Sequence, residues 1–439
     1  MRRLAAALAL VLFFAPPART EDPSPDEQPS RTTQKHIDRT QKLRGLEFKK
    51  APRVQFWDAD KLKKLMVEDF EKELPDDKAE KLTTTMAAFG LVPKDYALKK
   101  EILELMLEQI AGFYHPEKKI LCLIEGKSGA GMEQDIVTIH ELNHAMQDQH
   151  FDLTRLTNLT LANDDMATAF KALVEGEATM VMFDHVLEQQ GGMTCDQVPG
   201  IEGLIEAQMK GGGAAAGGEK LARAPLAIRE SLVGAYIDGF KWCVALKRDG
   251  GWDAINATWT DIPVSMEQIL HPEKYLERDM PQTVTLPKTF GAYEGWETVS
   301  ENTHGEFSVR MILLTLKPKS PKSGAEAAAG WDGDSYRVLR KDGTVVTAWA
   351  TVWDTETDAR EFASAYSKVL REKHEELKDT KSSSTSYSHG FGGEWVELRR
   401  EGRNVFVVEG GPEDAAKATV DAMIDGTTFE ELKPGVGAK

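Results

Sequence analysis

The chain has 439 residues, of which 41% are hydrophobic and 28% charged, as is typical of a globular protein with more than one unit. With 71 acidic and 54 basic residues its formal charge is −17, so it repels phosphate backbones and we exclude nucleic acid as a partner. Its three cysteines are too few for a disulfide-built scaffold, although Cys195 and Cys243 can pair in an oxidising compartment.

The first 20 residues, MRRLAAALALVLFFAPPART, are typical of a signal peptide. Arg2 and Arg3 precede an apolar run that is shorter than the roughly 20 residues needed to span a bilayer. Residues 21–50 are rich in proline, serine and charge, which predicts a flexible leader. We therefore expect an exported protein, periplasmic or extracellular, without stable membrane insertion.

Residues 51–319 have a mainly helical pattern and are predicted to form one domain. One exception is GFYHPEKKILCLIEG at residues 112–126, which predicts two short strands around a turn at 115–119. A loop of small residues, KGGGAAAGGEK, falls at 210–220. The breaker PKSPKSG follows a predicted helix at 305–317.

Residues 330–434 are predicted to form a smaller module of a different character. SYRVLRKDG at 335–343 matches EWVELRREG at 394–402, and each is followed by a second β-rich run and then a helical run. This repeat predicts an α+β module of two strand–strand–helix units. The module either docks a partner or is a structural appendage. It contains no pattern of metal ligands, so a chain ending near residue 319 is expected to keep any metal site.

The stretch HELNHAMQDQH, residues 140–150, predicts a metal site on one helix. His140 and His144 lie about 40° and one turn apart, so both can bind one Zn²⁺. Glu141 lies about 60° from His144 on the same side, where it can act as general base on a zinc-bound water. The competing interpretation is a chance match on an acidic helix.

Two regions compete to supply the third ligand. His150 has the spacing of the H-E-x-x-H-x-x-G-x-x-H motif, but Gln147 occupies the glycine position and favours a continuing helix. On such a helix His150 points about 100° away from the other two histidines. In ALVEGEATMVM, Glu175 and Glu177 are about 200° apart on a second helix, so at most one of them faces the metal.

Around these glutamates the sequence resembles the gluzincins, zinc peptidases in which a glutamate of a later helix is the third ligand. More narrowly, HELNHAMQDQHFDL, ALVEGEA, PVSMEQILHPEKY and AAAGWDGDSY look like a family of exported prokaryotic predicted metallopeptidases, over about residues 112–335. The resemblance implies a zincin-like fold, Glu175 as third ligand and Glu177 as support for a ligand histidine. His115 departs from it, because similar sequences have aspartate there.

The resemblance also implies a donor for the developing oxyanion, for which Tyr236 and His271 are the candidates, Tyr236 being preferred. Either can equally be a core residue. By the same resemblance the strand KILCLIE is expected to pair with extended substrate. We expect an exported Zn²⁺-dependent peptidase acting on peptides or proteins. The alternative is a non-catalytic binding protein on a zincin scaffold, with the C-terminal module engaging a partner.

Overall fold

The structure is a computed structural model that describes residues 31–109, 112–124, 132–211, 218–315 and 321–433. The predicted signal peptide, residues 21–30 of the predicted leader and residues 212–217 of the small-residue loop lie outside these ranges. Within them, no helix is both long and apolar enough to cross a membrane.

The described residues form a mixed α+β structure, which confirms the predicted class. The helices are α1 (Arg31–Arg44), α2 (Ala59–Glu73), α3 (Asp76–Ala88), α4 (Leu98–Gln109), α5 (Met132–Phe151), α6 (Leu153–Thr160), α7 (Asp164–Gly191), α8 (Ile201–Gly211), α9 (Gly218–Arg223), α10 (Leu226–Thr258), α11 (Met266–Leu270), α12 (Pro272–Glu277), α13 (Gly305–Thr315), α14 (Pro321–Glu326), α15 (Glu356–Lys373) and α16 (Glu413–Gly426). The strands are β1 (Arg53–Trp57), β2 (Gly112–His115), β3 (Ile120–Ile124), β4 (Gln282–Thr285), β5 (Glu297–Asn302), β6 (Trp331–Lys341), β7 (Thr344–Trp353), β8 (Lys378–Ser382), β9 (Ser386–Phe391), β10 (Glu394–Glu401), β11 (Asn404–Glu409) and β12 (Thr428–Glu431).

A small sheet in the helical region has the strand order β1–β3–β2. β2 and β3 are the two strands predicted at 112–126, and they pair antiparallel. The unpredicted strand β1 runs parallel to the other edge of β3. A strand paired on both sides has no free backbone groups to offer, so the prediction that KILCLIE, which contains β3, pairs with substrate is wrong. The outer strands of this sheet are β1 and β2.

The prediction of a flexible leader is wrong for residues 31–44, which form helix α1. Ile37 and Leu43 in this helix are buried. Arg44, at the end of α1, is also buried and forms an ion pair with Glu177 of α7. The polar composition concealed a narrow buried stripe, because a helix needs only one side chain in three or four to be buried.

Two units of the same element order, β6–β7–α15 and β10–β11–α16, correspond to the two copies of the internal repeat. They meet where β7 pairs antiparallel with β11. Three strands that were not predicted extend this arrangement into a seven-stranded sheet with the order β5–β6–β7–β11–β10–β9–β8. The sheet is therefore larger than the two repeats alone.

The helical region and this sheet are joined on both sides of the predicted boundary at residues 319–330. β5 precedes the boundary and pairs with β6, while β4 also precedes it and pairs with β12. One hydrophobic core contains Leu173 and Trp242 of the helical region together with Trp349 and Phe362 of the C-terminal region. A chain ending near residue 319 would lose these partners. It can therefore not be expected to fold by itself, which the predicted retention of a metal site requires.

Asp334, within AAAGWDGDSY, fastens α13 to the seven-stranded sheet. Its buried carboxylate accepts hydrogen bonds of 2.9–3.1 Å from the backbone N–H groups of His304 and Gly305 and from the indoles of Trp331 and Trp349. The two backbone donors lie at the start of α13, where the helix dipole favours a negative charge. In this structure the segment AAAGWDGDSY therefore has a packing role.

Helices α7 and α10 cross with their backbones in contact. A Cβ atom on Gly176 would lie 2.1 Å from the carbonyl carbon of Gly239, and one on Gly239 would lie 1.9 Å from the carbonyl oxygen of Ala172. Only glycine permits so close an approach. The crossing brings Glu175 of α7 and Tyr236 of α10 together.

Gly176→Ala is expected to lower the free energy of unfolding by roughly 3 kcal/mol or more, since the two helices must separate to admit the methyl group. The matched control is Gly203→Ala at an exposed position of α8, where an added Cβ meets nothing within 4 Å. That substitution should stabilise the protein by up to about 1 kcal/mol, because alanine favours helix. Urea denaturation followed by circular dichroism gives both values. Equal stability of Gly176→Ala and the natural protein would contradict the close crossing.

Candidate metal centre

Helix α5 runs from Met132 to Phe151 and passes through Gln147 as helix. His150, near its end, has its Nε2 atom 2.8 Å from the carbonyl oxygen of Glu47. That contact points the imidazole away from the other two histidines. The structure therefore keeps His150 apart from the candidate site, because no glycine breaks the helix to bring it back.

Three possible ligand atoms converge where α5 meets α7. The Nε2 atoms of His140 and His144 are 3.0 Å apart. Oε2 of Glu175 lies 3.2 Å from the first and 3.4 Å from the second. In a tetrahedral site with bonds near 2.0–2.1 Å, ligand atoms are about 3.3 Å from one another. The spacing of these three atoms therefore fits a small divalent cation.

Glu141 lies beside the two histidines, and its carboxylate and their ring nitrogens all lie within 4.8 Å of one another. This group of side chains can hold a metal ion. Glu175 is in direct contact with both imidazoles and is thus the better placed third ligand. Burial raises the pKa of Glu141, while the two imidazoles and the backbone N–H of Tyr114 in β2 act in the opposite direction.

Glu175 and His144 form a buried ion pair. Burial alone would raise the pKa of Glu175, but the adjacent imidazoles outweigh it and hold that pKa well below its usual range. Burial lowers the pKa of His144, yet the charge of Glu175 raises it to about 9 overall. A bound cation would replace the His144 proton as the partner of Glu175, so metal uptake should release a proton.

Glu177 supports His144 indirectly, through Gln147. Oε1 of Gln147 lies 2.9 Å from Nδ1 of His144, and its Nε2 donates to Glu177 at 3.2 Å and to the carbonyl of Val174 at 3.0 Å. With Nδ1–H bonded to Gln147, His144 presents Nε2 to the centre. Such supporting hydrogen bonds fix the orientation and tautomer of a ligand histidine.

The Glu177 carboxylate itself accepts hydrogen bonds from several buried side chains. Arg44 binds it through two hydrogen bonds of 2.8 and 3.1 Å. Asn143 and Trp259 donate at 3.1 and 2.9 Å. Burial would raise the pKa of Glu177, but Arg44 and these donors lower it. The carboxylate is therefore a charged, buried anchor for the helix that carries both histidines.

The hairpin β2–β3 is held over α5 by Asp148. Its Oδ2 atom accepts from the hydroxyl of Tyr114 at 2.7 Å and from Lys119 at 2.6 Å.

The sequence did not indicate five residues that support the candidate ligands without being ligands themselves. These residues are Arg44, Asn143, Gln147, Asp148 and Trp259. A signal existed for Gln147, which lies three residues after His144 and so on the same side of the helix.

Of the two oxyanion-donor candidates, Tyr236 lies at the centre. Its ring stacks on that of His140, with centroids 6.0 Å apart and planes 19° apart. Burial and the charge of Glu175, which its hydroxyl contacts, raise its pKa well above the usual range, so it remains a donor. His271 is not brought to the centre, because its Nε2 atom lies 3.0 Å from Glu306 Oε1.

His115 also lies apart from the converging ligand atoms. It is buried on β2, and its Nδ1 atom accepts from the backbone N–H of Lys118 at 3.3 Å. Burial, and then Lys118, lowers its pKa to about 4, so the ring is neutral.

All three cysteines are buried and free, and Cys195 and Cys243 do not pair.

Comparisons with known proteins reach only the C-terminal region. A family model described as a domain of unknown function (DUF8575) matches residues 292–421, which contain all seven strands of the larger sheet and none of the metal-centre residues. Searches of curated proteins and of solved structures gave no match. The match covers less than half of the chain, so any function must be argued from the geometry of the centre itself.

Proposed function

We propose that the protein is an exported zinc-dependent peptidase of gluzincin type, in which His140, His144 and Glu175 hold the ion. The supporting observation is the convergence of their three ligand atoms within 3.0–3.4 Å, with Glu141 beside them. Two histidines and one glutamate, with a further position for water, are the ligands of a catalytic rather than a structural zinc site.

A zinc ion at this centre would supply Lewis-acid chemistry, polarising a carbonyl and lowering the pKa of water to about 7. Glu141 accepts the proton of the attacking water and passes it to the departing amine. Tyr236, rather than His271, donates its hydroxyl hydrogen to the oxygen that gains negative charge.

A peptide substrate is supported by the position of β2. This strand is paired with β3 on one side and is an edge strand of the three-stranded sheet. It packs against α5, the helix that carries His140, Glu141 and His144. An extended peptide can add to such an edge through backbone hydrogen bonds, which would bring its amide carbonyl to the centre.

Metal analysis of the purified mature protein and digestion of a peptide library test this proposal together. We expect stoichiometric zinc, and peptide cleavage that a chelator abolishes and added zinc restores. A protein that binds no metal, and stays inactive after zinc is added, would favour the alternative of a non-catalytic binding protein. Stoichiometric zinc without any cleavage would also favour that alternative.

A further inference from the structure

A partly open cavity of about 110 Å³ is lined by residues of α3, α7, α10 and α13. Helices α7 and α10 run in the same direction, since Lys171 contacts Ser231 near their beginnings and Asp184 contacts Lys247 further along. Lys171 and Ser231 line the cavity. They precede Glu175 and Tyr236 by about one turn, so the cavity lies roughly 6 Å from the centre along the helices.

The buried side chain of Lys171 lines this cavity with unsatisfied hydrogen-bonding capacity. Lys171 is 5% exposed, and the acceptor that the structure gives its ammonium is the carbonyl of Ser231, at a long 3.4 Å. An ammonium has three N–H donors. His304 also lines the cavity, but its Nε2 atom is itself buried rather than open to the cavity. Burying an ammonium is costly unless a ligand completes its hydrogen bonds.

The rest of the cavity indicates what kind of ligand fits. Phe89, Phe307 and Tyr336 provide an aromatic wall. The cavity's own carboxylate, Asp164, lies seven residues before Lys171 on α7, which is about 10 Å along a helix. The Lys171 end of the cavity therefore has a positive charge beside apolar surface. A carboxylate on a short carbon chain matches that end.

We propose that this cavity is a substrate subsite that binds a carboxylate through Lys171. The inference rests on the proposed peptidase function and narrows its substrate class to peptides with a carboxylate close to the cleaved bond. A separation of roughly 6 Å equals about two residues of an extended chain. The carboxylate is thus an acidic side chain or the chain terminus, within about two residues of that bond.

Binding by the full-length protein tests the subsite without requiring catalysis. The probes are 3-phenylpropanoate and its neutral amide, titrated calorimetrically into zinc-loaded and chelator-treated protein. We expect the acid to bind at least about tenfold more tightly than the amide, because a hydrogen bond to a charged group is worth that much. Lys171→Met should remove this preference in both forms of the protein. Ser308→Ala, which alters the same wall without changing its charge, should keep it.

Thermal unfolding provides a second measurement on the same variants. Lys171→Met should raise the melting temperature of the ligand-free protein, because it removes a buried charge whose ammonium has one long hydrogen bond, to the carbonyl of Ser231. A large loss of stability would overturn the proposal, since the ammonium would then have a structural partner. Equal binding of acid and amide by the natural protein would overturn it without any variant.

The outcomes separate this inference from the proposed function. Cleavage of peptides with no preference for the acid probe would overturn the subsite alone. Binding of the acid through Lys171 without any cleavage would support the subsite and overturn the peptidase. Acidic peptides with amidated ends, compared with neutral peptides with free ends, show which carboxylate is used. Cleavage of the preferred set should fall at least about tenfold in Lys171→Met.

Discussion

Glu175→Ala is expected to leave the protein without bound metal after dialysis against a mild chelator, whereas His150→Ala keeps near-full occupancy. The reason is geometric. Oε2 of Glu175 lies 3.2 and 3.4 Å from the two ligand nitrogens, while the imidazole of His150 is bonded to the carbonyl of Glu47. Without Glu175, His140 and His144 offer two ligands where a catalytic zinc site needs three.

Metal stoichiometry after dialysis is the measurement, and circular dichroism must show that both variants are folded. His150→Ala serves as the matched control, because it removes a potential ligand from the same helix that carries His140 and His144. A metal-free His150→Ala beside a fully loaded Glu175→Ala would make His150 the third ligand. That result would overturn the gluzincin assignment and favour the glycine-containing motif.

Glu141→Gln is expected to reduce peptide hydrolysis by at least about 10²-fold while the metal remains bound. The amide has nearly the same shape as the carboxylate but cannot accept the proton of the attacking water. Glu141 lies within 4.8 Å of the ligand nitrogens, yet Glu175 is in direct contact with them. Its loss should therefore affect the chemistry and leave the three ligands intact.

The same samples provide zinc stoichiometry and the rate of peptide cleavage. His150→Ala, on the same helix and outside the centre, should retain the activity of the natural protein. Loss of zinc from Glu141→Gln would make Glu141 a ligand rather than a base. Full activity in that variant would remove Glu141 from the mechanism altogether.

Local spacing was enough to predict several parts of this protein. His140, Glu141 and His144 share one side of a helix because 3.6 residues make a turn, and that holds wherever the helix lies. The continuation of α5 through Gln147 followed from the lack of glycine at that position. The hairpin at residues 112–126 and the two repeat units followed from alternation and self-similarity, which are also properties of neighbouring residues.

The tertiary structure alone decided which distant residues meet. Spacing on α7 showed that at most one of Glu175 and Glu177 faces the histidines, but only the packing of α7 against α5 shows that it is Glu175. Likewise, Arg44 lies in a polar segment whose composition predicted a flexible leader, because its buried partner, Glu177, is 133 residues further along the chain. Such contacts depend on how whole elements pack, and periodicity within one element contains no information about its neighbours.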